Sequence, residues 1–136
     1  VILRREAIGG LRFNPAFGRT GGEDTNFFGQ LARNGVVMAY AADAVVDEPV
    51  PPARSTLKWL TARAFRSGQS HAVVLLNSGR KRPVLATMSM LKVLFCMGVA
   101  VVTLWSPTGW RKATVRGALH AGVLGAVLGK SPLELY

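Results

Sequence analysis

Residues 84–105 are the strongest constraint in this chain: 22 positions, almost all apolar, with a single charge at Lys92. The part without any charge, 93–105, is only 13 residues long. About 20 apolar residues cross a bilayer's hydrocarbon, whereas 10 to 14 more often make a core or interfacial helix. Lys92 reaches water easily from the end of such a helix and poorly from its centre. A second stretch, 117–129, is apolar but carries four glycines, each costing a helix up to about 1 kcal/mol. Between the two, Ser106-Pro107-Thr108-Gly109 is turn chemistry. The pattern predicts a helical hairpin over 83–136 that lies in a membrane or dips into it. Arg80-Lys81-Arg82 and Arg111-Lys112 flank it, and both are expected on the cytoplasmic side. A soluble helix pair with a buried seam is the alternative.

Charge follows the same division. Residues 1–48 hold five Arg and six acids, whereas 49–136 hold twelve Lys or Arg and one acid, Glu134. The second half is suited to a negative partner: nucleic acid, an anionic membrane or a phosphate-bearing substrate. No helix-turn-helix, RRM or KH signature is present, and the apolar run argues against a nucleic-acid binder. A single cysteine, Cys96, excludes an internal disulfide framework, and with only His71 and His120 a Cys/His zinc cage is excluded too. Nothing at the start reads as a signal peptide. Val1 resembles the interior of a larger protein, so a fragment is expected.

The first half predicts an α/β layer. Residues 1–3 read as the end of a buried strand, and 36–41 and 44–46 as short strands. Phe27, Phe28, Leu31 and Ala32 recur at helical spacing behind Glu23-Asp24, and Asn34-Gly35 is a C-cap. Pro49 to Pro52 is a rigid break, after which Ser55 or Thr56 caps a helix running to about Gln69. Arg54, Lys58 and Arg66, spaced by multiples of four, are expected on one face.

Chemistry centres on Gly21-Gly22-Glu23-Asp24. Two glycines permit positive φ and close approach of a substrate. A carboxylate there is placed for general-base work, or, as an ordinary first-turn acid, for satisfying free N–H groups. Trp59 offers a flat aromatic face to a ligand or belongs to the core. Lys58, Arg63 and Arg66 offer charge for a diphosphate, or form a solvated face or a headgroup contact. His71 is a candidate metal ligand or a surface residue.

Several segments together carry a resemblance: Phe13-Asn14-Pro15-Ala16-Phe17-Gly18, Gly21 through Phe28, Val45-Val46-Asp47-Glu48-Pro49-Val50-Pro51, Arg54 through Trp59, and Arg63 through Gly68. Over roughly residues 1–75 this resembles family 2 glycosyltransferases, most of all bacterial enzymes that build exopolysaccharide units on a lipid carrier. Gly-Gly-Glu-Asp is its most specific element.

The resemblance implies the C-terminal part of a GT-A, Rossmann-like domain over 1–52, a basic helical segment completing the active site over 53–82, and the membrane-associated hairpin over 83–136. It implies inverting transfer from a nucleotide sugar to a lipid-linked saccharide at the cytoplasmic face of a bacterial inner membrane. Asp24 would be the catalytic base, Glu23 and Trp59 would bind the acceptor, and Lys58, Arg63 and Arg66 the diphosphate. Relatives carry Gln-x-x-Arg-Trp where this chain has Ser55-Thr56-Leu57-Lys58-Trp59, so a single-sugar transferase is expected rather than a processive one. A divalent cation, Mg or Mn, is implied, but the Asp-x-Asp motif that holds it does not occur in these 136 residues. The competing function is a non-catalytic membrane module docking anionic lipid through its basic helix.

Overall fold

The computed structural model describes residues 2–15 and 22–133. They form five α-helices: α1 (Arg5–Ile8), α2 (Glu23–Arg33), α3 (Leu57–Asn77), α4 (Arg82–Val102) and α5 (Gly109–Val127). A 3-10 turn, Pro52–Ser55, precedes α3. Among the described residues there is no strand. The expected α/β, Rossmann-like layer is therefore corrected to an all-helical arrangement.

The reason lies in pairing. Runs rich in β-branched residues become strands only when another strand accepts their backbone bonds. In residues 36–50 the backbone bonds are local turns, Ala44 N–H to Ala41 O at 3.3 Å and Val45 N–H to Asp43 O at 3.0 Å. Tyr40 and Val46 are 93% and 87% exposed, so no layer covers this run. Ile2 and Leu3 are likewise exposed, and a one-turn helix, α1, follows them where a strand end was expected.

The helices follow their sequence signals more closely. In α2, Phe27 and Leu31 are one turn apart and both buried. Phe13 stacks on Phe27 with ring centroids 4.3 Å apart, and Phe28 meets Phe27 edge-on. The helix ends with Gly35 at φ 76°, Val36 N–H reaching Leu31 O and Gly35 N–H reaching Ala32 O. That pair of bonds is a Schellman closure, and it needs a residue without a Cβ penalty at the left-handed position. Thr56 caps α3, its Oγ1 accepting from Trp59 N–H at 3.2 Å. Nothing in the sequence after Gln69 stops that helix, and it continues to Asn77.

α5 lies between α3 and α4 and packs along both. Ala72 of α3, Leu85 of α4, and Val123 and Val127 of α5 form the core cluster. Gly68 faces Leu119 and Val123, and Gly122 faces Phe65. Leu57 and Leu60 share a cavity with Trp110 and Ala113, while Ala72 clusters with Val123 and Val127, so α3 and α5 run in the same direction. Cys96 opposite Gly117, and Leu85 beside Val123 and Val127, make α4 antiparallel to them. The glycines at 68 and 122 bring two backbones into direct contact: a Cβ on either would overlap a carbonyl oxygen of the other helix. Gln69, buried, ties down the chain after α5. Its Nε2 donates to Ser131 O at 2.9 Å, and its Oε1 accepts from Leu133 N–H at 2.8 Å.

The helical pair α4–α5 turns at 103–108, where Ser106 Oγ accepts from Gly109 N–H at 3.1 Å. Because α4 is unbroken over 21 residues, it is about 30 Å long. Arg82 and Arg111 therefore sit at opposite ends of it.

Candidate functional site

The start of α2 and one face of α3 enclose a cavity of about 600 Å³. Gly22 is the N-cap of α2 and takes φ 92°, a left-handed conformation that lets the chain turn sharply into the helix. Gly21 lies outside the described residues. Glu23 and Asp24 occupy the first turn and both line the cavity. Asp24 is exposed, and its Oδ1 accepts from Thr25 N–H at 2.6 Å, which orients the carboxylate. Glu23 is half-buried. Its Oε2 is shielded from solvent and has no hydrogen-bond partner among the described residues, so one acceptor position is left for another molecule.

From α3 come Arg63, Arg66, Ser67, Ser70 and His71. Leu119 of α5 contributes to the wall. Two carboxylates and two guanidiniums thus share one cleft. A carboxylate can take a proton from a hydroxyl, and guanidiniums can hold phosphate oxygens in a bidentate fork.

Two expected members are placed differently. Lys58 precedes Arg63 by five residues, about 140° round the helix, and it is exposed and does not line the cavity. Trp59 does not line it either, but it is joined to it. The Arg63 guanidinium carbon lies 5.1 Å from the Trp59 ring centroid, within cation–π range, and that of Arg54 lies 5.9 Å away. Trp59 is half-buried, which fits neither a full core residue nor an open platform.

Sequence reasoning missed Thr25, Ser67, Ser70 and Leu119. The signal for the serines was present: Trp59, Arg63, Arg66 and Ser70 are spaced i, i+4, i+7, i+11, a single stripe of α3. Reading multiples of four alone selected Lys58 instead.

Glu23, Asp24 and His71 line the same cleft, but among the described residues no three His, Cys, Asp or Glu side chains are grouped so that they could hold a metal ion. The residues present do not fit a metal site, and no step is assigned to one. A larger cavity, about 1030 Å³, lies among α3, α4 and α5 beside Phe95, Trp110 and Arg116, and no acid lines it.

The chain is similar to the succinoglycan biosynthesis protein ExoM of Rhizobium meliloti (strain 1021). The two are 37% identical over 139 residues, which takes in 99% of this chain. The chain spans about half the relative's length, 45%. No family model matches the chain, and no solved structure matches it.

Proposed function

We propose that this chain serves inverting sugar transfer in cell-surface polysaccharide synthesis, at the cytoplasmic face of a bacterial inner membrane. The observation that carries the reading is the cavity in which Glu23 and Asp24 face Arg63 and Arg66. Similarity to a succinoglycan biosynthesis protein supports the polysaccharide context.

In this reading Asp24 removes the proton from an acceptor hydroxyl as that oxygen attacks the anomeric carbon of a nucleotide sugar. The bond from the anomeric carbon to the diphosphate breaks, the nucleoside diphosphate leaves with the electron pair, and the configuration inverts. Oε2 of Glu23, without a hydrogen-bond partner among the described residues, accepts from a second hydroxyl of the acceptor saccharide, which is lipid-linked. Arg63 and Arg66 neutralise the departing diphosphate. Trp59 holds Arg63 in place through its ring. Lys58, on another face of α3, is left out of this set.

The test is Asp24→Asn in an enzyme that combines this chain with a nucleotide-sugar-binding half. The substitution preserves shape and removes the base. Positioned proton transfer contributes about 10²- to 10⁴-fold, so kcat is expected to fall by that factor with donor affinity unchanged. Turnover within about threefold of the parent would overturn the assignment, since the smallest expected loss is about 10²-fold. A second reading, a non-catalytic module that docks anionic lipid, is favoured by the exposed apolar face of α4. It expects no dependence of any transfer on Asp24.

A further inference from the structure

α4 is the one helix among the described residues long and apolar enough to cross a membrane, yet only 11% of its apolar window is buried. Val84, Met88, Leu91, Phe95 and Val102 run down one line of it, each half or more exposed, with Phe95 at 72%. At 100° per residue, Lys92 lies about 70–80° from that line, at the margin of the apolar face, and Arg82 lies about 150° from it. Trp105 in the following turn is 79% exposed and extends the apolar surface.

We propose that α4 lies flat on an anionic lipid bilayer, its apolar face sunk into one leaflet with Lys92 at the margin, and does not cross the membrane. This rests on the membrane-side reading above and deepens it, by assigning the surface and its orientation.

Three observations carry the proposal. The first is what a crossing would drag with it. α4 is as long as the hydrocarbon is thick, so length alone does not decide between lying and spanning. But α5 packs along it, with Gly117 opposite Cys96 near its midpoint. At that level Lys92 of α4, Arg116 of α5 and His71 of α3 are all close enough to act on His120. A spanning α4 would carry this group of ionisable side chains to the depth where charge is most costly. Lying flat leaves them all in water or headgroups.

The second is the placement of the cations. Arg80, Lys81 and Arg82 are at one end of α4, Arg111 and Lys112 at the other, all exposed, and Lys92 sits at the margin of the apolar face. Only with the helix parallel to the surface do both clusters reach the same layer of headgroups. The third is the sign of the surface. Among the described residues from 49 onward there is no acid, so every charge that α3, α4, α5 and their turns bring to the rim of the face is positive. A second copy docking through the same face would bring like charges together. An anionic leaflet matches both the apolar strip and its rim.

The experiment labels single cysteines at positions 84, 91 and 102, in a Cys96→Ala background, with an environment-sensitive fluorophore. Vesicles are phosphatidylcholine alone or mixed equally with phosphatidylglycerol, with quenchers attached at two acyl depths. Equal, shallow depth at all three positions on the anionic vesicles is expected. A profile with 91 deep and 84 and 102 shallow would establish a crossing, overturning the flat orientation while leaving the membrane reading intact. No change at any position on either vesicle would overturn both, and so would burial of the labels in a lipid-free dimer. Phe95→Glu, at an exposed position, should retain the helical circular dichroism of the parent. It should lower partition into the anionic vesicles by at least about tenfold. Unchanged partition would overturn the proposal.

Discussion

The sharpest test of the packing is to put a methyl group where α3 and α5 touch. A Cβ at position 68 would overlap the Leu119 carbonyl oxygen and lie 3.0 Å from Val123 N. One at 122 would overlap the Phe65 carbonyl oxygen and lie 3.1 Å from its Cα. These neighbours are backbone, so no side chain can swing aside; the helices must separate. Overpacking of this kind costs about 1–3 kcal/mol. Against it stands the helix preference of Ala over Gly, about 1 kcal/mol. The balance predicts that Gly68→Ala and Gly122→Ala each destabilise, by up to about 2 kcal/mol. Gly98, on the exposed face of α4, has nothing within 4 Å of its Cβ position. There only the helix term operates, and Gly98→Ala should stabilise by up to about 1 kcal/mol. The double variant at 68 and 122 adds a further signature. One displacement of α3 from α5 relieves both clashes, so its cost should be less than the sum of the singles. Denaturant titration followed by far-ultraviolet circular dichroism reads all four variants. If Gly68→Ala stabilises as Gly98→Ala does, the backbones are not in contact and the packing argument fails. Strict additivity at 68 and 122 would refute the shared displacement.

Two other changes probe the same core. Gln69→Ala removes both hydrogen bonds to the segment after α5, leaving the Ser131 carbonyl and the Leu133 N–H without these partners; a loss of about 1–3 kcal/mol and faster amide exchange at Leu133 are expected. Burial, and then the charges of Lys92, Arg116 and His71, hold the His120 imidazole below its ordinary range. The unfolded chain therefore takes up its proton first as the pH falls. Stability should be complete above the ordinary imidazole range and decline as pH drops through it toward the lowered folded value; His120→Gln should flatten that part of the pH profile.

The legible parts of this molecule were those fixed by local chemistry. Thr56 as a cap, Asn34-Gly35 as a helix end, Glu23-Asp24 in a first turn and the turn at 106–109 each depend on residues a few positions apart, and each is where its residue types require. The strands read at 36–41 and 44–46 failed for the converse reason. β-propensity describes a surface waiting for a partner, and no described segment lies beside these runs. The candidate site was half legible. Glu23, Asp24, Arg63 and Arg66, each singled out from the sequence, line one cleft, whereas Lys58, singled out with them, lies on another side of α3. The four glycines of 117–129 were read as weakness, and at Gly122 the missing side chain is what lets α3 and α5 touch backbone to backbone.

That approach has a consequence for the cleft. Leu119, whose carbonyl meets Gly68, also lines the wall that holds Arg63, Arg66 and Ser67. The spacing between those cations and α5 is therefore set by peptide units in abutment, which have no rotamers to exchange. Side chains elsewhere in the core can drift in size and shape while this gauge holds, and the exposed apolar residues of α4 can vary without shifting the cleft's far wall. The joint behaves as a fixed datum from which the rest of the helical assembly is dimensioned.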